Sequence, residues 1–445
     1  MASIPGSSAP ALWQGAQLFR DPIGFLRGAH REYGDVFRVK FPGEPPIAYV
    51  ADPDLARKAL ATDGRGAVTG ETRALLFEPL VGQHSLLTLE GEEWERERTL
   101  IGPAFHGRRI RSWEGRIGEI AAERIETWPL GEPIALRGRM SEITLEVILQ
   151  LVFGVAEGPR HDRLRELLPA LVERASWYAW VPGPVRSGLE RLGSEGAAGR
   201  LNPAGGVLAL REEVDRLLYE EIAERRAEAG RADREDVLSL MIDAGGDDEA
   251  PGLSDEDLRD ELMALLAAGH ETTSTGLSWA FERLMRTPEA MRSLLEELDG
   301  GGDGGNRTLL DATVKETLRA RPVVIDVARM LTAPLELGGR EVPAGWMLAP
   351  AIVVLHHRED VWGDPGSFRP GRFLENPPLR AWIPFGGGRR RCVGSQLAQL
   401  EMRVVIREVL SRLRLRTVDP APERPRVRHV TLVPEHGARA IASTA

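Results

Sequence analysis

Residues 254–288, SDEDLRDELMALLAAGHETTSTGLSWAFERLMRTP, constrain the fold of this chain more than any other stretch. Ser254 is a good N-cap, and Asp257 stands three residues on, at the capping-box position. Pro288 marks the far end. The helix between them covers about 32 residues and about 50 Å, which is unusually long for a globular protein. Leu258, Leu262, Leu265 and Leu266, then Leu277, Phe281 and Leu284, give it apolar faces. Its waist, AAGHETTST (residues 267–275), breaks the helical pattern. Gly269 weakens a helix by about 1 kcal/mol relative to alanine, and the hydroxyls from Thr272 to Thr275 compete for backbone carbonyls. Two readings stand. Either the helix opens locally beside a reacting centre, with an acid and an alcohol supplying protons, or a surface helix carries a polar stripe there.

The rest of the chain is mostly helical from about residue 53 to 240. Residues 35–51 alternate as a hairpin does, with a Pro/Gly turn in the middle. Residues 64–88 and 181–206 read as loop-rich, and DGGGDGGNRT (299–308) as a flexible loop. Residues 335–349 read as a second β-hairpin, and a second long helix follows Gly394. No repeat and no separable segment stands out. The pattern predicts one large domain over residues 1–445, mainly α with small β-sheets.

The chain has one cysteine, in FGGGRRRCVG at residues 385–394. A thiolate is favoured by positive charge and by a helix start, and Cys392 has arginines before it and a helical segment after it. Glycines 386–388 permit tight turns and close backbone approach. One cysteine cannot build a tetrahedral zinc site, and no CxxC or HExxH motif is present. Cys392 is therefore the axial ligand of a haem iron, a nucleophile with a distant histidine, or an inert loop cysteine. The lone thiol also excludes an internal disulfide and suits a reducing compartment.

Net charge is −10, which argues against nucleic acid as the main partner. Lysine occurs only at Lys40, Lys58 and Lys315, so arginine abundance by itself carries no functional meaning. No apolar run reaches the roughly 18 residues that a membrane span needs. The first 15 residues lack the charged and apolar regions of a secretory signal. A cytoplasmic protein is the expectation.

Phe385, Gly388, Arg390, Cys392 and Gly394 form F-x-x-G-x-R-x-C-x-G, with Ala398 and Glu401 continuing it into the following helix. This resembles the signature of the cytochrome P-450 haem-thiolate monooxygenases. KETLR carries E-x-x-R as Glu316 and Arg319, FRPGRF (368–373) is similar to F-x-P-E-R-F, and AGHETT (268–273) to A-G-x-D/E-T-T. Trp94 and Arg98 are similar to an earlier W-x-x-x-R. The resemblance runs from about residue 30 to the end. It departs at Gly371, where the family has an acidic residue, while Arg372 is kept.

The resemblance implies a single triangular domain, with haem b between the long helix and the helix after the cysteine loop. It makes Cys392 the metal ligand, and sulfur donation favours O–O cleavage at the iron. Trp94, Arg98, Arg329 and Arg390 would meet the haem propionates. Ala268, Pro384, Phe385, Gly386, Gly394 and Ala398 would complete the cofactor site. Glu316, Arg319 and Arg372 would form a buried network behind the cysteine loop. Glu271 and Thr272 match the acid–alcohol pair that delivers protons, and His270 is packing or pocket lining. The implied reaction inserts one atom of O2 into an apolar substrate, a fatty acid or a polyketide or terpenoid scaffold. Pocket walls would come from residues 64–88, 170–206, 262–275 and 323–328, where Asp326 faces a substrate polar group or makes a structural hydrogen bond.

With no reductase domain in the chain, electrons would come from a ferredoxin and its NAD(P)H-dependent reductase. Arg389 and Arg391 would steer that acidic partner to a monomeric enzyme. A peroxide-driven peroxygenase and a non-catalytic haem carrier or sensor are the alternative classes. The acid–alcohol pair speaks against the first, and an apolar substrate cavity would speak against the second.

Overall fold

The computed structural model describes residues 3–179, 203–244, 252–300 and 308–445. Most of the loop-rich stretch expected at 181–206, and residues 301–307 of the glycine-rich loop, lie outside these. Residues 203–206, counted with that stretch, begin a helix instead, Pro203–Ala227. Helices dominate and the sheets are small. The chain divides into two compact units.

The first unit comprises Met1–Thr69, Glu114–Ile143 and Glu271–Ala445. Strands β1 (Val36–Val39) and β2 (Ile47–Val50) form the expected hairpin, with Val36 opposite Val50 and Phe37 opposite Tyr49. Alternation sorts their side chains between two faces. Val36, Ala48 and Val50 enter one apolar cluster, while Phe37, Val39, Ile47 and Tyr49 enter another. With β3 (Ala67–Val68), β5 (Arg329–Leu331) and β8 (Met347–Pro350), the hairpin makes a 5-stranded sheet of order β1-β2-β8-β5-β3.

The hairpin expected over 335–349 is shorter. Strands β6 (Leu335–Leu337) and β7 (Arg340–Val342) pair across Gly338 and Gly339, whose φ values are 56° and 73°. These are the two left-handed positions of a type I′ turn, where glycine lacks the Cβ penalty. Pro343 has no N–H to extend the ladder, so Met347 onward joins the larger sheet as β8. A 3-stranded sheet orders β4 (Pro133–Ala135), β12 (Arg439–Thr444) and β9 (Leu413–Thr417). Strands β10 (Pro425–Arg428) and β11 (Thr431–Pro434) form a separate hairpin. Helix Ser395–Arg412 buries Val404, Val405, Ile406 and Val409. It packs against helices Glu114–Ile125 and Leu309–Ala320.

The second unit comprises Gly70–Trp113 and Thr144–His270. Helix Pro159–Ala179 packs on Pro203–Ala227 and on Gly70–Val81. The last of these corrects the sequence expectation, which placed a loop over residues 64–88. Glu71 supplies acid to its first turn, and Pro79 falls in its last turn, so the i→i−4 bond that proline cannot make is lost only at the end of the helix. Gly82 then stops it at φ 84°, and a Cβ there would meet the Asp260 carboxylate at 2.1 Å.

The long helix runs Asp255–Met285, 31 residues. Its capping box is reciprocal: Asp257 N–H donates to Ser254 Oγ at 3.1 Å, and Ser254 N–H donates to Asp257 at 2.9 Å.

Candidate functional site

In the first unit, Cys392 is exposed and in no disulfide, three residues ahead of the helix that starts at Ser395, with Gly394 as its N-cap. The loop is closed by Cys392 N–H donating to Phe385 O at 3.1 Å and Gly386 N–H donating to Ile383 O at 3.0 Å. Ala398 N–H donates to Gly394 O at 2.9 Å, opening the helix. Gly386 and Gly388 have φ of 65° and 67°. A Cβ on Gly388 would lie 2.3 Å from the Leu60 carbonyl oxygen, at the end of helix Pro53–Leu60. A side chain there is excluded on two counts. Pro384 and Phe385 are half-buried, and Ala398 is partly buried one turn into the helix.

Arg390 is buried, with its Nε 3.2 Å from Asp63, and Arg389 reaches the same carboxylate at 3.3 Å. The Thr69 hydroxyl donates to the other Asp63 oxygen. Asp63 thus ties the cysteine loop to the segment after Leu60. Arg391 is exposed. Arg329 is buried on β5 and donates to Val327 O at 3.2 Å. Val327 in turn lies 3.5 Å from where a Gly386 Cβ would stand. The stretch 323–328 therefore meets the cysteine loop at Val327.

Behind the loop, Glu316 and Arg319 are fully buried one helical turn apart, joined by bonds of 2.7 and 2.8 Å. Arg372 Nε donates to Glu316 at 3.1 Å, and Arg369 N–H at 2.9 Å. Arg319 also donates to the carbonyls of His356 and Pro365, and sits 5.4 Å over the Trp362 ring. Aromatic contacts then run from Trp362 to Phe373, Trp382 and Phe385, at 5.9, 5.8 and 6.3 Å. His356 Nε2 accepts from Ile383 N–H at 3.0 Å. Burial holds that imidazole well below its usual range, so it stays neutral. The network reaches the cysteine loop through Ile383 and Phe385. At Gly371 the Cβ position opens onto empty space, so the departure from the acidic residue disturbs no packing.

On the long helix, Ser274 donates to Glu271 O at 3.0 Å and Ser278 to Ser274 O at 2.6 Å, the carbonyl competition expected of its polar waist. Thr272 is partly buried. The Glu271 carboxylate meets the β10–β11 hairpin: its Oε2 lies 2.9 Å from His429 Nδ1, and its Oε1 lies 3.5 Å from Thr431 Oγ1 and 3.8 Å from Arg428 Nε. Burial alone would raise its pKa; His429, Arg428 and Arg137 outweigh that and hold the carboxyl below its usual range. Asp326 accepts a 2.8 Å bond from the Tyr49 hydroxyl, the structural role the sequence allowed. Burial pushes its carboxyl up to about 6.

The second unit holds Trp94, Arg98 and Ala268. Trp94 is buried on helix Gly91–Ile101, and Arg98, one turn on, is partly buried on the same face. Ala268 is exposed on the long helix, and neighbouring His270 is buried with Nδ1 2.9 Å from Thr144 Oγ1. Glu97 and Glu261 are both buried beside each other. Leu86 N–H donates to Glu261 at 2.5 Å. Burial pushes Glu97 up to about 7 and Glu261 well above the usual range.

Sequence reasoning did not find Asp63, His429 or the Glu97–Glu261 pair. Each gains meaning only from a partner distant in sequence, such as His429 and Glu271, 158 residues apart. No short motif marks such pairs.

Among the described residues no group of three or more His, Cys, Asp or Glu side chains is placed to hold a metal. One exposed thiol in a glycine-built loop suits a metal that brings its other ligands, as porphyrin iron does. Buried arginines at 329 and 390 suit an anionic ring substituent.

The family model for cytochrome P450 matches residues 5–439. A Mycobacterium tuberculosis protein provisionally named cytochrome P450 135B1 is 38% identical over 443 residues, 99% of this chain and 91% of its own. Another, provisionally named cytochrome P450 138, is 37% identical over 439 residues, 98% of this chain and 95% of its own. The solved cytochrome P450DA heme domain has a TM-score of 0.83 at 23% identity, covering 100% of this chain and 98% of that one. Cyanobacterial CYP120A1 with bound retinoic acid has a TM-score of 0.82 at 22% identity, covering 100% of both chains. Fold and sequence define a haem-thiolate enzyme. The chain belongs to the cytochrome P450 family, and its activity is that of a monooxygenase with iron protoporphyrin IX as cofactor.

Proposed function

We propose that Cys392 is the thiolate ligand of the haem iron, and that the enzyme hydroxylates or epoxidises an apolar small molecule. The observation that carries this is the lone exposed cysteine in a loop held by Asp63 on one side and the Glu316–Arg319 network on the other. Bound haem supplies the activation of dioxygen, chemistry that side chains lack. The residues of the chain do the rest. Arg329 and Arg390, with Trp94 and Arg98, take the propionates. Gly386 and Gly388 let backbone close around the sulfur. Ala268, Pro384, Phe385, Gly394 and Ala398 line the cofactor. Glu271 and Thr272 hold and pass the two protons that the reaction consumes.

Val323, Val324, Ile325, Val327 and Ala328 form an apolar stretch that meets the cysteine loop at Val327, interrupted by Asp326, which Tyr49 occupies. This favours a fatty acid or a polyketide or terpenoid scaffold. The retinoic acid bound by the cyanobacterial protein of this fold is of the same apolar kind. Electrons would reach a monomeric, single-domain cytoplasmic enzyme from a ferredoxin and its NAD(P)H-dependent reductase. Exposed Arg391 would help to draw the partner in, and turnover that slows as salt rises is the expected sign. Spectral titration of haem-loaded protein with a library of apolar compounds tests the substrate class. Compounds of that class should shift the haem spectrum on binding. A library that shifts nothing, against protein that binds carbon monoxide normally, would overturn it.

A further inference from the structure

We infer that His429 is a positioning and proton-transfer residue for Glu271, carrying protons from solvent to the acid of the acid–alcohol pair. This rests on the roles proposed above for Glu271 and Thr272.

His429 opens the two-residue turn between β10 and β11, where Arg428 is paired with Thr431. Its φ is 54°, in the left-handed region where glycine is the ordinary choice. Glycine would relieve the backbone there and remove the imidazole. Backbone strain of this kind is retained where the surrounding structure uses the side chain, and here the side chain is used. Nδ1 lies 2.9 Å from Glu271 Oε2. The ring is 21% exposed and the Glu271 side chain 14%. No described residue bonds Nε2. One ring nitrogen therefore serves an almost buried carboxylate while the other edge reaches water, the arrangement by which an imidazole relays protons.

The other groups facing Glu271 cannot do this. Arg428, 3.8 Å away on the hairpin, lacks an acceptor nitrogen with which to take up a proton. So does Arg137, on helix Leu136–Val147, whose charge also acts on Glu271. The Thr431 hydroxyl already donates to Arg428 O at 2.9 Å. These arginines hold Glu271 ionised and ready to accept. The transfer balances without change of oxidation state. The Nδ1–H bond breaks and an O–H bond forms on Glu271. The imidazole takes a proton at Nε2 from a solvent hydronium ion, which leaves as water, so the ring changes tautomer without changing charge, and Glu271 passes its own proton toward Thr272.

The test compares His429→Gln and His429→Gly with wild type and with Thr272→Ala, each haem-loaded. Gln keeps a polar side chain that cannot titrate, and Gly removes the strain should Gln fold poorly. The relay predicts that both His429 variants bind substrate as wild type does. Both should divert several-fold more reducing equivalents to peroxide, show a larger solvent deuterium isotope effect, and alter the pH–coupling profile. A second readout needs no turnover: the Glu271 carboxyl, followed by NMR, should titrate at higher pH in His429→Gln. If Thr272→Ala uncouples but both His429 variants keep wild-type coupling, isotope effect and pH profile, His429 is only a structural contact and the inference falls. If Thr272→Ala itself stays coupled, the acid–alcohol reading beneath it is what fails.

Discussion

Thr272 and Glu271 are neighbours on one helix, yet their surroundings differ. Glu271 is clamped by His429 and two arginines, while the waist around Thr272 is rich in hydroxyls bound to backbone carbonyls. An alcohol that passes protons contributes at the reacting atoms, so Thr272→Ala should leave folding intact and raise the peroxide formed per NAD(P)H consumed, about tenfold or more given the usual scale of acid–base catalysis. Tight coupling in that variant would contradict the relay. Glu97 gives a pH prediction of opposite character. Its folded-state value is raised to about 7, mainly by burial, with Asp257 adding to the shift. The folded protein therefore binds more protons than the unfolded chain between about 4.3 and 7. Stability is fullest below that window and falls as pH rises through it. Glu97→Gln should be more stable than wild type at pH 8 by about 1–2 kcal/mol, after allowance for solvent screening, and no more stable at pH 5. Denaturant unfolding at the two pH values measures it.

At the scale of elements, the cysteine loop is held by what flanks it. Gly388 is fixed twice, by its φ of 67° and by the Leu60 carbonyl 2.3 Å from any Cβ. Gly388→Ala costs about 1–2 kcal/mol for the backbone alone, and backbone oxygen cannot swing aside. The expected outcome is a lower melting temperature and loss of the sulfur-ligated spectrum in part of the haem-loaded protein. Glu316→Ala removes one side of a fully buried pair and leaves Arg319 and Arg372 facing no carboxylate. A loss of about 3–5 kcal/mol follows, and little haem-loaded protein should be recovered. Normal haem content in that variant would refute the network's role.

Much of this was legible in the sequence. The capping box at Ser254 and Asp257, the β1–β2 hairpin and the E-x-x-R pair are local patterns, and local patterns survive into the fold. Helix Gly70–Val81 was not legible, because Pro79 and two bounding glycines resemble loop chemistry when their position within the helix is unknown. Strand β8 was read into the neighbouring hairpin, since its partner β2 lies 300 residues away.

For the molecule as a whole, sequence, fold and family agree on a haem-thiolate monooxygenase. No helix among the described residues is long and apolar enough to cross a membrane. Cys392 is the proposed ligand of the iron, and the most direct measurement is the spectrum of the purified, reduced protein under carbon monoxide. It should show the strongly red-shifted band of a sulfur-ligated adduct, which Cys392→His should abolish. Folded, haem-containing protein without that band, or a Cys392→His variant that keeps it, would contradict the account.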